Sequence, residues 1–394
     1  MSTGRSSIGL GSRRFRVLSL TVAGGMAVAV IALLSGFHYD LRPVAPSQVG
    51  GTASEVDTTA VVGIRTFESP GDIVVDEDVV YATLADGTQL TLDVCSPPTT
   101  ESVPAPGAEA TEGSSEPTAP ADTAPGADVA GRTDAGTTAA PGVAASAPAN
   151  PEPEVALRPA VLSVHGGSWA RGDKANSDWR AVCEWFASEG FVAYSVNYRL
   201  VPAVHFPAAI DDIALAGSWM RSPANATKYS IDPARIGAFG GSAGGNLAAL
   251  LGARGTGSLT EGSRVAAVAE LSGPVDLSYD GIVVAGGSAG LEQITLDYLD
   301  CTSLLDCSAT EKASAYSELD RSDPPVFIGT STDEFIPLSQ SSGYAEDLNS
   351  LGIRNELVTV PGSLHSIGIL DASMREKVSA FLHAELGDVE LSTK

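Results

Sequence analysis

Short apolar runs rich in β-branched residues alternate with amphipathic segments through the second half of the chain. A run of five to nine such residues suits a buried strand, and the longer segments have the 3.6-residue period of a helix. Their alternation predicts an α/β fold with a doubly wound, mostly parallel sheet and ligands at the carboxyl ends of the strands. The predicted strands are PAVLSVHGG, FVAYSVNYRL, RIGAFGG, VAAVAELSG, PPVFIGTST and NELVTVPG, and helices are predicted over residues 173–188, 207–221, 243–251, 339–351 and 373–386.

The segment before these elements contains one hairpin and a change of composition. VVYATLADGTQLTLDV alternates apolar and polar residues on both sides of Asp86-Gly87, which predicts two strands joined by a two-residue turn. Residues 97–154 hold 11 of the 24 prolines and no aromatic, leucine or isoleucine residue, which is typical of a disordered segment. Because a lone hairpin is only marginally stable, we interpret this segment as an insert within one domain over residues 72–387.

The pattern of the N-terminal residues predicts that the protein is exported from the cytoplasm. Residues 17–34 form an uncharged apolar run of 18, long enough to cross a bilayer, and Arg13, Arg14 and Arg16 precede it. The positive-inside rule places residues 1–37 as a cytoplasmic tail with a transmembrane or signal segment, followed by a stalk over residues 38–71. The run is either an uncleaved anchor, giving a single-pass membrane protein with an extracytoplasmic domain, or a cleaved signal peptide of a secreted protein. Residues 388–394 are a C-terminal tail.

The net charge bears on the binding partners of the protein, and the cysteines bear on its cellular compartment. The chain has 23 basic and 48 acidic side chains, a net charge of −25, which disfavours binding to nucleic acid. In an oxidising compartment Cys301 and Cys307 could close a small loop, which leaves Cys95 to pair with Cys183. None of these spacings resembles a zinc site.

The pentapeptide GGSAG occurs twice, at residues 240–244 and 286–290, and both copies fit the G-x-S-x-G pattern of a nucleophilic serine on a strand-to-helix turn. The first copy directly follows the predicted strand RIGAFGG and precedes an alanine- and leucine-rich helix. The second has a less distinct context, and its alternative interpretation is a flexible glycine turn. Ser242 and Ser288 are the two candidate nucleophiles.

A catalytic serine needs a base and an orienting carboxylate. Of the five histidines, His365 directly follows the last predicted strand, and His165 begins HGGSW at the end of an earlier strand. The other three lie in the stalk, a loop and the terminal helix. Asp333 follows the strand PPVFIGTST and is the predicted carboxylate, with its neighbour Glu334 as the nearest rival. The order Ser242, Asp333, His365 is that of α/β-hydrolases.

Several linked motifs resemble the hormone-sensitive-lipase-like serine esterases, closest to the branch with feruloyl and acetyl xylan esterases. They are HGGSW followed by RGDK, then NYRL, FPAAIDD, GGSAGG and the late aspartate and histidine, and they cover most of residues 161–365. The resemblance implies an α/β-hydrolase fold with a small cap-like insertion, which would hold the second GGSAG within residues 278–315.

The resemblance also implies the roles of individual residues. Ser242 is the expected nucleophile, His365 the base and Asp333 the orienting acid. Backbone N–H groups of Gly166, Gly167 and Ala243 are the expected oxyanion donors, and Ser168 stands where the family usually has a third glycine. Such chemistry requires no metal and no organic cofactor.

The expected reaction is hydrolysis of carboxylic esters through an acyl-enzyme, on short-acyl, acetylated or feruloylated substrates. The ester partner would be a small molecule or a group linked to a polysaccharide. An amidase or peptidase with the same triad, or a surface binding protein without catalysis, is the alternative. The sequence does not decide the oligomeric state.

Overall fold

An eight-stranded sheet organises the computed structural model, which describes residues 62–98, 157–255 and 257–388. Its spatial order is β1-β2-β4-β3-β5-β6-β7-β8. β2 runs antiparallel to both of its neighbours, β1 and β4, and the six strands from β3 to β8 are parallel, as the six apolar runs predicted. The strands are β1 (Val74–Thr83), β2 (Gln89–Ser96), β3 (Arg158–Val164), β4 (Val192–Val196), β5 (Ile231–Gly241), β6 (Ala267–Leu271), β7 (Val326–Ser331) and β8 (Asn355–Val360).

Nine α-helices lie among the described residues, and five of them confirm predictions. The predicted five are α1, α2, α4, α8 and α9, and the other four were not predicted. Three of those four belong to the segment between β6 and β7. The helices are α1 (Ser177–Ser188), α2 (Ala208–Arg221), α3 (Pro223–Tyr229), α4 (Ala243–Arg254), α5 (Ala289–Leu299), α6 (Ala309–Ala313), α7 (Ala315–Glu318), α8 (Leu338–Leu351) and α9 (Ala372–Leu386).

Helices cover both faces of the sheet, because the parallel strands are apolar on both sides. One core packs Phe186 of α1 and Phe381 of α9 against Phe239 and Phe327 on β5 and β7. The opposite core contains Ile213 of α2, Leu247 of α4 and their neighbours, and it continues into the segment that carries α5, α6 and α7. This arrangement leaves the carboxyl edge of the sheet between the two helical layers.

The predicted hairpin is confirmed, with a longer turn. Thr83 pairs with Gln89, and the loop between them is closed by the Leu84 N–H on the Thr88 carbonyl at 2.8 Å. Gly87 takes a φ of 88°, which allows this three-residue turn. β2 pairs with β4, so the hairpin extends the main sheet. The predicted insert at residues 97–154 lies outside the described residues apart from its first two.

Within the described ranges, no helix is both long and apolar enough to span a bilayer. The membrane-spanning or signal segment predicted at residues 17–34 lies outside those ranges, as do the predicted stalk up to residue 61 and the tail after residue 388.

Both disulfides expected from the cysteine positions in the sequence are present. Cys95 of β2 is bonded to Cys183 of α1, which ties the hairpin to the helical layer, and Cys301 is bonded to Cys307 after α5. The described residues contain no free cysteine.

Candidate active site

Ser242 lies on a sharp turn between β5 and α4. Its φ of 58° and ψ of −124° fall in a region that residues with a side chain rarely adopt. The Ser242 N–H donates to the Leu271 carbonyl at 2.8 Å, and the Ser242 carbonyl accepts from the Asn246 N–H at 3.0 Å. These bonds hold the strained turn, which is the strand-turn-helix context predicted for the first GGSAG.

His365 follows β8 and meets Glu334, where the prediction placed Asp333. The His365 Nδ1 contacts the Glu334 Oε2 directly, while the Asp333 side chain is exposed and accepts a hydrogen bond from its neighbour Thr332 at 2.7 Å. The expectation that Asp333 orients the histidine is therefore wrong. The cause is the turn after β7, in which the Asp333 N–H donates to the Gly362 carbonyl and the following residue turns inward.

Four groups donate to the Glu334 carboxylate, which has no exposed side-chain surface. Oε1 accepts hydrogen bonds from the Ser272 Oγ at 2.8 Å, from the Thr330 Oγ1 at 2.9 Å and from the Ser331 N–H at 2.9 Å. Oε2 accepts from the His365 Nδ1. Burial raises the pKa of Glu334, but the hydrogen bonds from His365 and from the Ser331 backbone outweigh it and lower the pKa below its ordinary value. Glu334 is therefore ionised at neutral pH.

His165 shapes the HGGSW loop and is no candidate base. It is 1% exposed, its ring stacks on Tyr198 with the centroids 4.3 Å apart, and its Nδ1 donates to the Gly166 carbonyl at 2.8 Å. The Tyr198 hydroxyl donates to the His165 carbonyl at 2.9 Å. Burial lowers the pKa of His165, so its ring stays neutral.

The loop presents backbone N–H groups beside the serine. Because His165 holds the Gly166 carbonyl, the Gly167 N–H of the same trans peptide points the opposite way. Among the described residues, neither the Gly167 N–H nor the Ala243 N–H has a hydrogen-bond partner. A Cβ on Gly166 would lie 3.2 Å from the Ser242 Cβ and 2.7 Å from a neighbouring carbonyl oxygen, so only glycine permits this approach.

Ser242 and His365 open into the same cavity of about 750 Å³, within the usual range for a small-molecule site. Gly166 and Gly167 form part of its wall beside the serine. The lining contains both polar and apolar side chains. The polar ones are Arg171, Asn176, Ser177 and Asp178, and the apolar ones are Trp179, Ile294, Phe335 and Ile367.

The second GGSAG serves a different purpose. Ser288 is exposed and is the N-cap of α5, where its Oγ accepts from the Leu291 N–H at 3.1 Å. A serine in this role satisfies the start of a helix. Ser288 lines none of the cavities that hold Ser242.

The predictions missed the residues that support the site. Ser272 and Thr330 bind Glu334, and Phe335 meets the His365 ring edge-on with centroids 6.0 Å apart. Their only signal was a position at or just after a predicted strand end, which many other polar residues share.

A parallel sheet with a serine on a strained elbow and a histidine–carboxylate pair at its carboxyl edge defines the α/β-hydrolase class. The BD-FAE family model matches residues 149–348, just over half of the 394 residues, and the chain belongs to that family. This agrees with the esterase resemblance of its motifs.

Curated relatives are similar over shorter segments. Neutral cholesterol ester hydrolase 1 of Mus musculus is 44% identical over 104 residues, 26% of either chain. Arylacetamide deacetylase of Bos taurus is 41% identical over 96 residues, 24% of either chain. Esterase LipC of Mycobacterium tuberculosis is 29% identical over 230 residues, 55% of this chain and 54% of its own. The chain thus matches about a quarter of the length of the mammalian relatives.

Solved structures support the fold. A "truncated form of carbohydrate esterase from gut microbiota" has a TM-score of 0.56 at 19% identity, covering 81% of this chain and 99% of its own. An esterase from Thermogutta terrifontis has a TM-score of 0.53 at 22% identity, covering 82% and 96%. At these identities the likeness concerns the fold alone.

Proposed function

We propose that the chain is a serine hydrolase that cleaves carboxylic esters through an acyl-enzyme. One observation carries the proposal: the strained Ser242 shares a cavity with His365, whose Nδ1 lies against the buried, ionised Glu334. A serine hydroxyl is a weak nucleophile until a neighbouring base removes its proton. The roles of the three side chains follow from that requirement.

In the first half-reaction the Ser242 Oγ attacks the ester carbonyl carbon, and His365 accepts the serine proton at Nε2. Glu334 holds the imidazole by Nδ1 and stabilises its positive charge. The carbonyl oxygen becomes an oxyanion near the N–H groups of Gly167 and Ala243, with Gly166 as the third predicted donor. Each such donor contributes about 100-fold or more to turnover.

The C–O bond then breaks, and the alcohol leaves with the proton from His365. In the second half-reaction water loses a proton to His365 and attacks the acyl carbon. Ser242 leaves with that proton, and the carboxylic acid is released. His365 accepts the proton and passes it on in both half-reactions.

The names of the relatives favour esters over amides. Two of the three named above are an ester hydrolase and an esterase, and one is an arylacetamide deacetylase. We therefore place ester hydrolysis first, and amide hydrolysis by the same triad is the alternative that an assay distinguishes.

The decisive experiment compares Ser242→Ala with Ser288→Ala in the full chain. We expect Ser242→Ala to reduce hydrolysis of p-nitrophenyl acetate by about 10³-fold or more, and Ser288→Ala to leave it within about twofold. Labelling by a fluorophosphonate probe should follow the same pattern, because it needs the activated serine.

The other outcomes separate the alternatives. Equal losses in both variants would contradict the assignment of the nucleophile. Probe labelling at Ser242 with hydrolysis of an anilide but no ester would favour an amidase. Absence of both labelling and hydrolysis would favour a binding protein without catalysis.

We also propose that the catalytic domain works outside the cytoplasm, either anchored by residues 17–34 or secreted after their cleavage. The two disulfides support this, because such bonds persist in oxidising compartments. Protease treatment of intact cells should reach the domain if it is anchored outside, and the culture medium should contain it if it is secreted. Activity found only in the cytoplasmic fraction would contradict the proposal.

A further inference from the structure

The guanidinium group of Arg171 has no partner in the part of the chain that the structure describes. Every other arginine in the described ranges is hydrogen-bonded to or ion-paired with a carboxylate or carbonyl oxygen of the chain. Arg171 is exposed, and an arginine side chain is always charged. Its N–H donors are therefore available to a group from outside the chain.

The backbone of Arg171 is fixed against the loop that borders the serine. Its N–H donates to the Gly167 carbonyl at 3.0 Å. A Cβ on Gly167 would lie 3.2 Å from the Arg171 Cγ, so the arginine side chain begins directly beside this loop. Arg171 also lines the cavity of about 750 Å³ that contains Ser242 and His365. The unpartnered charge thus belongs to the space in which an ester would be cleaved.

The acidic residues that follow Arg171 in the sequence are bonded to other groups. The Asp178 carboxylate, which also lines the cavity, accepts from Nε and Nη2 of Arg65 at 2.9 and 2.8 Å. The Asp173 carboxylate accepts from the Asn197 side-chain amide at 3.3 Å. Arg171 therefore brings to the cavity a positive charge that no carboxylate of the described ranges neutralises by a direct ion pair.

The charge of the whole chain gives this local positive group its significance. The formal net charge is −25, so the protein as a whole repels anions. An anionic substrate must overcome that repulsion, and a positive side chain in the cavity offers it a direct contact. A neutral ester needs no such contact, because His365 and Glu334 already perform the proton transfers of hydrolysis.

We propose that this hydrolase, if the proposed function holds, is selective for esters that carry a carboxylate, and that Arg171 binds this carboxylate. The planar guanidinium matches the two carboxylate oxygens through parallel N–H···O bonds. Arg171 is a specificity residue, because it acts on which ester is bound and takes no part in the proton transfers at His365.

The test compares charged and neutral esters that are otherwise alike. One pair is para-acetoxybenzoate and its methyl ester, in which the charge lies on the alcohol part. The other pair is the mono-p-nitrophenyl ester of adipic acid and the methyl ester of that compound, in which the charge lies on the acyl part. The wild-type full chain should cleave the charged member of one pair with the higher kcat/KM, and that pair identifies the part of the ester that meets Arg171.

Two variants of Arg171 and one control follow the charged-to-neutral ratio of kcat/KM. Arg171→Gln should lower this ratio by about fivefold to tenfold, because a charge-assisted pair at an exposed position contributes less than a buried one. Arg171→Lys keeps the charge but not the planar fork, so its ratio should lie between those of the wild type and Arg171→Gln. Lys377→Gln removes an exposed positive charge on α9, outside the cavity, and should leave the ratio unchanged.

Ionic strength provides a second measurement. Salt screens the attraction between exposed charges, so the difference between the wild-type and Arg171→Gln ratios should shrink as the NaCl concentration is raised. If Arg171 only shaped the loop beside Gly167, that difference would not depend on salt.

Failure of this inference is distinguishable from failure of the hydrolase function. If the neutral esters are cleaved and Ser242 is labelled by fluorophosphonate, but Arg171→Gln has the wild-type ratio for both pairs, the selectivity is overturned and the esterase remains. A wild-type preference for the neutral member of both pairs would have the same meaning. If no ester is cleaved and Ser242 is not labelled, the hydrolase function itself fails, and the role of Arg171 fails with it.

Discussion

Ser272 donates a hydrogen bond to Glu334, with 2.8 Å between Oγ and Oε1, and it couples two parts of the site. The same Ser272 Oγ accepts from the Ser366 N–H at 2.9 Å, next to His365. One hydroxyl thus holds both the carboxylate and the loop that carries the histidine. Ser272 reaches this position at the end of β6 with a φ of 55°, a conformation uncommon for serine.

We expect Ser272→Ala to lower kcat by about tenfold with little change in KM. The lost bond goes to an ionised group, and such bonds contribute about 1.5–3 kcal/mol. Ser341→Ala is the matched control, because Ser341 is also fully buried but its Oγ has no hydrogen-bond partner among the described residues. A kcat for Ser272→Ala equal to that of the control would show that Ser272 does not position the pair.

The neighbours Asp333 and Glu334 offer a direct test of the carboxylate. Glu334→Gln should lower kcat by about 10³-fold or more, because the amide can no longer stabilise the positive charge that forms on His365. Asp333→Asn should stay within about twofold, since Asp333 is exposed and does not touch the histidine. The reverse pattern in steady-state kinetics would restore Asp333 as the orienting acid.

The burial of Glu270 should make the stability of the folded protein depend on pH. It has no exposed surface, and burial, reinforced by the nearby charge of Glu334, raises its pKa from 4.5 to about 8. Between these values the unfolded chain loses a proton that the folded chain keeps, so Glu270 makes folding less favourable as pH rises from about 4.5 to about 8. We therefore expect Glu270→Gln to raise the Tm relative to wild type more at pH 8 than at pH 5.

The control for that measurement is Glu356→Gln, at an exposed position on β8. At pH 8 the Tm difference from wild type should be larger for Glu270→Gln than for this control. Parallel Tm curves for Glu270→Gln and wild type would mean that Glu270 ionises in the folded protein as it does in the unfolded chain.

The two disulfides should stabilise the domain unequally. Cys95–Cys183 spans a sequence separation of 88 and Cys301–Cys307 one of 6. Loop-closure entropy gives contributions of about 4–5 and about 2 kcal/mol respectively. Each bond can be isolated by replacing the other pair with alanines and measuring urea unfolding with and without reductant. A larger effect of reductant through Cys301–Cys307 would contradict this ranking.

The sheet was predictable because buried parallel strands and amphipathic helices leave strong periodic signals. All six predicted parallel strands and all five predicted helices are present. The nucleophile turn was predictable for the same reason, since Ser242 lies between two such elements. The segment between β6 and β7 has short helices, such as α6 and α7 of five and four residues, and these are too brief for a periodic signal.

The carboxylate could not be predicted from its position alone. Asp333 and Glu334 both follow β7, and the choice between them depends on how the turn is bonded. The Asp333 N–H binds the Gly362 carbonyl on the next strand's loop, and the Ser331 N–H binds the Glu334 carboxylate. The first is a tertiary contact between segments about 30 residues apart, which a local pattern does not contain, and the second joins residues within the turn itself.

The hairpin that extends the sheet also determines where the long segment between β2 and β3 is attached. Ser96 ends β2 beside the start of β4, and Arg158 begins β3, so both attachment points lie at the amino edge of the parallel strands. Ser242, Glu334 and His365 follow the opposite, carboxyl edge. The two points are separated by two strand spacings, roughly 10 Å, a gap that about four residues can bridge. The residues between them can therefore lengthen, shorten or diverge in evolution without altering the path of the chain that builds the ester site.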